Sequence, residues 1–270
     1  MTELQIYNSQ GTKVGTEQPE VSTRIEQFFF GGVRLYVEAD RDVELTAFFR
    51  ARESKASRAE QYYAVYRTDT LNQLFDRFIT ELTEEIEDTH GMSIQTTSDD
   101  VQVFAGLTTE HTAPGSPSEH TYISELLSEG KQLQFGVSSV DDALGLFQKY
   151  LEGKATRVAI AENASNDELA DCDLVIELGS YDGLEPIGDT ETYMSNKQRQ
   201  ATESSRPRAG GSLSTSQSES SKLKQIGMPI AVAVGTFVAL LVLVLIGANG
   251  AAVGGVGVPS FLDPVVFVES

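Results

Sequence analysis

The chain has 270 residues, 40 acidic against 20 basic side chains and a formal charge of −20. So acidic a chain repels nucleic acid, and its single cysteine excludes an intramolecular disulfide or a multi-cysteine metal site. Only eight lysines, with abundant Asp, Glu and Thr, fit a halophilic, archaeal-like surface, where molar salt cuts the Debye length to about 3 Å and screens self-repulsion.

Residues 1–110 read as a mostly antiparallel α+β region. VRLYVEA (33–39) and VELTAFFRA (43–51) alternate, placing Val33, Leu35 and Val37 on one face and Val43, Leu45, Ala47 and Phe49 likewise, with DRD as the turn. FFFGG before this pair and QYYAVY (61–66) after it read as further strands. Thr70 and Gln73 have capping-box spacing, opening a helix whose stripe runs through Leu71, Leu74, Phe75, Phe78, Leu82 and Ile86 to a stop at Gly91. VQVFAGL (101–107) reads as another strand, before a loop over 108–118.

Residues 119–194 read as a small α/β region. ISELLSEG is helical and LQFGV (133–137) is a buried strand. Ser139 caps a helix that Gly153 stops, RVAIAE (157–162) is a strand, and Ser165 with Glu168 caps a brief helix before DLVIEL (173–178). This β-α-β-α-β string implies a small parallel sheet with right-handed crossovers. The pattern leaves open whether it forms one domain with residues 1–110.

Residues 195–224 turn to Ser, Gln, Thr, Arg and Gly, a flexible basic linker with six cations against two acids. Setting aside those charges and the two acids beyond leaves 36 acids and 14 bases in residues 1–194. No charge occurs between Lys224 and Asp263, and a helix over 227–248 would cover about 30 Å, a bilayer's hydrocarbon core. It is the expected single transmembrane helix, flanked by Lys222 and Lys224. The basic flank places the N-terminal domain in the cytoplasm and the short Gly-rich tail (249–270) outside. Gly250 and Gly254 have the spacing of a helix–helix contact. The expected fold is therefore α+β: N-terminal antiparallel strands, a small β-α-β-α-β parallel unit and one C-terminal transmembrane helix.

Ligands of open α/β sheets bind beyond the carboxyl ends of the strands. Here that edge offers Ser138, Ser139, Glu162, Asn163, Ser165 and Asp182, although helix capping alone accounts for the serines. No phosphate loop or dinucleotide fingerprint is present, no cofactor is expected, and His111 and His120 read as exposed loop residues rather than metal ligands. Cys172 reads as a buried filler. Residues 155–178 resemble sugar-isomerase-type domains but lack their phosphate-binding serines, so no activity is carried over. The expected function is a membrane-anchored sensing or docking module, with the lipid bilayer and a membrane protein as partners. The alternatives are a tethered enzyme acting on a phosphorylated small molecule and a structural subunit of a membrane complex.

Overall fold

The structure, a computed structural model, describes residues 2–16, 20–151, 153, 155–164 and 167–204. The expected span at 227–248, the tail, Lys222, Lys224, Gly250, Gly254 and Ser165 lie outside the described residues. Among the described residues no helix is long and apolar enough to cross a membrane.

The first half of the chain forms β1 (Glu3–Asn8), α1 (Thr23–Phe30), β2 (Val33–Ala39), β3 (Val43–Glu53), β4 (Glu60–Thr68) and α2 (Leu74–Glu84). Then come β5 (Met92–Gln95), α3 (Gln102–Ala105) and α4 (Pro117–Ser128). The rest forms β6 (Leu133–Val137), α5 (Val140–Leu151), β7 (Arg157–Ala161), β8 (Leu174–Leu178), β9 (Glu185–Pro186) and α6 (Asp189–Ser204). The fold is α+β with one mixed sheet in the order β1-β4-β3-β2-β7-β8-β6-β9, while β5 also pairs with β3. β7, β8 and β6 are parallel. β2 pairs antiparallel with β7 and so joins the two halves.

Both faces of the sheet are covered. One face holds Leu35, Val37, Leu45 and Phe49 against the buried stripes of α2, α4 and α5. The other receives Ile25 and Phe28 of α1, and burying two such side chains stabilises by about 1.5–3 kcal/mol each. Alternation predicts Val33 beside Leu35 and Val37. Instead the register against β7 slips between Val33 and Leu35, and Val33 packs with Phe28 on the opposite face. A one-residue bulge does this because side chains alternate with period two.

A row of charge crosses the sheet, built from one residue on each of five adjacent strands. Glu3 pairs with Arg67, Arg67 with Glu44, Glu44 sits across from Glu38, and Glu38 from Arg157. Arg67 Nη2 lies 2.9 Å from Glu44 and Arg157 Nη2 3.0 Å from Glu38. Each pair is partly exposed and weak, yet a one-residue slip would face these charges with the wrong neighbours.

Four expectations are corrected. FFFGG is not a strand but the end of α1, which Ser22 caps by accepting the Ile25 N–H at 3.4 Å. Helical rotation then buries Phe28 and leaves Phe30 84% exposed. Thr70 does not cap a helix; its hydroxyl accepts the Asn72 N–H, and α2 begins after Gln73, whose φ of 52° is left-handed. VQVFAGL is not a strand but a 3-10 turn followed by α3, and β5 supplies the strand of this region. Residues 195–204 are not tether but the second half of α6. Thr190 and Met194 are buried in the preceding turns of the same helix, and within 195–204 Lys197 Nζ reaches Glu125 at 2.9 Å and Glu129 at 2.8 Å.

Candidate functional site

Parallel β6, β7 and β8 end on the same edge of the sheet, and this brings Ser138, Ser139, Glu162, Asn163 and Asp182 to one rim. Ser139 caps α5 there, its hydroxyl accepting the Asp142 N–H at 3.0 Å. Ser138 and Asp182 are exposed. Glu162 is turned toward β2, where it accepts from Arg34 Nε at 3.2 Å while its own N–H donates to the Gly32 carbonyl at 3.0 Å. Arg34 also lies 4.4 Å from the centre of the Phe48 ring, and these groups with Asn163 and Phe30 line a cleft of about 360 Å³.

Between β6 and β8 the rim is filled. The Tyr181 ring lies so close on Gly136 that a Cβ there would stand 2.5 Å from it, and 2.8 Å at Gly179. Its hydroxyl donates to Glu177 Oε1 at 2.6 Å, and Glu177 Oε2 accepts the Ala164 N–H at 2.8 Å. The bond to Glu177, with burial adding to it, pushes the Tyr181 phenol up to about 12.

The other sequence candidates have structural partners. Cys172 is 3% exposed, and burial pushes its thiol up to about 12, so it fills space beside Tyr36 and Val175. His120 Nδ1 lies 2.8 Å from the Tyr150 hydroxyl, and burial, with Lys149 adding to it, holds the ring below its usual range. Among the described residues no three His, Cys, Asp or Glu side chains gather to hold a metal ion.

A wider cleft of about 640 Å³ opens between the approach to α2, the 107–113 loop and α5. Leu71, Phe75, Leu107 and Leu151 give it an apolar lining, and Gln73, Glu110, His111 and Lys149 stand among them. Its wall is tied down by side chains. Gln148 of α5 donates to the Thr109 carbonyl at 2.9 Å and accepts the His111 N–H at 3.3 Å. The His111 ring sits between the Gly106 carbonyl, 2.9 Å from Nε2, and Asp141 Oδ1, 3.1 Å from Nδ1. The volume falls in the range of small-molecule sites, and an apolar lining with scattered polar groups suits binding and orientation.

Sequence reasoning reached His111 only as an exposed loop residue, whereas its side chain is 8% exposed, and missed Gln148 and Gly145. The local signal was Gly145, a glycine within the α5 stripe, where it costs about 1 kcal/mol against alanine unless something must approach closely. No protein-family model, curated protein or solved structure matches this chain.

Proposed function

We propose that this is a single-pass membrane-anchored protein whose acidic domain is a sensing module at the inner face of the membrane, receiving a small molecule in the cleft between α2 and α5. The observation that carries the sensing role is the wall at 106–113, which Gln148 fastens to α5 and the His111 ring braces against the Gly106 carbonyl. A wall ordered beforehand loses less freedom when a ligand arrives. Anchoring is supported by the uncharged run from Ile230 to Ile246, with Lys222 and Lys224 before it. The bilayer and a protein partner at the membrane are then its neighbours, with Gly250 and Gly254 as the contact between spans.

The tethered-enzyme reading finds less support. Its residues Ser139 and Glu162 are engaged in capping and in the Arg34 pair, and Tyr181 fills the space between two of the three strand ends.

Two measurements test the proposal. In high-salt fractionation the intact chain should sediment with membranes, with its large domain shielded from protease outside the cell; recovery in the soluble pool ends the anchoring. The detergent-solubilised full chain is then screened against small molecules by thermal shift, where a ligand at a hundredfold its Kd adds about 2.7 kcal/mol. Hits should weaken in Phe75→Ala and survive in Asp182→Asn. The reverse dependence would move the site to the strand edge.

A further inference from the structure

We propose that His111 is a proton-operated latch on the wall of the cleft, a regulation that rests on the cleft being the sensing site. The ring is 8% exposed and lies between two oxygens, the Gly106 carbonyl at 2.9 Å and Asp141 Oδ1 at 3.1 Å. Both are acceptors. A neutral imidazole carries one N–H and satisfies one of them, whereas the imidazolium donates to both. Gly106 opens the loop and Asp141 lies in the first turn of α5, so the charged ring braces the loop across itself through Nε2 and ties it to the helix through Nδ1.

The two acceptors differ in what they do when the proton leaves. The Asp141 side chain is 85% exposed and takes water in place of the ring. The carbonyl faces a nearly buried ring, so Nε2 keeps its proton and Nδ1 gives one up. A bare lone pair then faces the carboxylate, and the Asp141 side of the tie opens. Other charges stand around the ring: Glu110 precedes it in the loop, Lys149 of α5 and Asp76 of α2 line the same cleft, and the ring's own bonds go to Gly106 and Asp141. Acid therefore tightens the wall and alkali loosens it.

The test is hydrogen–deuterium exchange of the full chain in detergent at about pH 5.5 and about pH 8. After correction for intrinsic rates, amides of 107–112 should be about threefold better protected at the lower pH, the scale of one hydrogen bond to an exposed partner. Asp141→Asn offers an oxygen to the charged ring and an N–H to the neutral one, so it should abolish the difference without loosening the loop. His111→Gln should abolish it too, and His120→Gln should keep it. No difference in the wild type, or a difference that persists in Asp141→Asn, overturns the latch. Exchange needs no ligand, so a barren ligand screen leaves this result standing, and a failed latch leaves the cleft to be judged by its thermal shifts.

Discussion

Gly145, in the middle of α5, lies against the peptide of Thr112 so closely that a Cβ there would stand 2.5 Å from the Thr112 carbonyl oxygen and 2.7 Å from the Ala113 nitrogen. Both neighbours are backbone and cannot rotate aside. Gly145→Ala must therefore push the loop off the helix, at a cost of about 1–3 kcal/mol, with weaker ligand capture in the cleft. Gly153→Ala is the control, since nothing lies within 4 Å of its added carbon, and a change within about 0.5 kcal/mol is expected there. Urea midpoints of the two variants make the comparison.

Tyr63 joins α1 to the bulge in β2. Its hydroxyl bonds to the Val33 carbonyl and lies 3.2 Å from that of Phe28. The side chain is 1% exposed, and its burial pushes the phenol far up. Tyr63→Phe leaves those carbonyls short of a donor and should cost about 1–3 kcal/mol. Tyr62→Phe, whose hydroxyl donates to the exposed Glu60 at 3.3 Å, should cost clearly less. Equal losses in equilibrium unfolding would refute the difference.

Cys172 should be silent toward thiol reagents in the folded protein. Burial removes it from solvent and raises its thiol to about 12, so both access and thiolate are lacking. Being the single cysteine of the chain, it reports opening of the face that α1 covers. Labelling with a chromogenic disulfide should become rapid only across the urea transition; prompt labelling in native buffer would contradict the packing.

Acid should weaken α4 in a defined direction. Glu119 Oε2 accepts the Ser116 N–H at 2.7 Å, and the Ser116 hydroxyl accepts the Glu119 N–H at 3.3 Å. The backbone bond from Ser116 comes first among the causes that hold the Glu119 carboxyl below its ordinary range. Since the folded value is the lower one, the stabilisation is complete above the unfolded value of about 4.3 and disappears as pH falls through the folded value. Glu119→Ala should thus cost up to about 1 kcal/mol at neutral pH, less a discount for partial exposure. Thermal midpoints of variant and wild type should converge in acid.

Much of the sheet was legible because its strands follow simple periods. VRLYVEA and VELTAFFRA alternate as β2 and β3 do, and LQFGV, RVAIAE and DLVIEL fall on β6, β7 and β8. The aromatic run of α1 misled because Phe favours strands locally, while the decisive contact, Phe28 on Tyr36 and Tyr63, is remote in sequence. The polar 195–204 segment reads as tether because its helix is fixed by a few contacts such as Lys197 with α4. At the strand edge the sequence named the right rim, but the Tyr181 ring over Gly136 depends on a turn that no period announces. The cleft was less legible still, since α2, the 107–113 loop and α5 meet only in three dimensions.

The seam between β2 and β7 decides how the chain can be divided. Cutting it in the 108–118 loop would leave each piece with a bare strand flank, β2 on one and β7 on the other, whose open donors and acceptors invite aggregation. Neither fragment should then fold alone, and each, expressed separately, should collect in inclusion bodies.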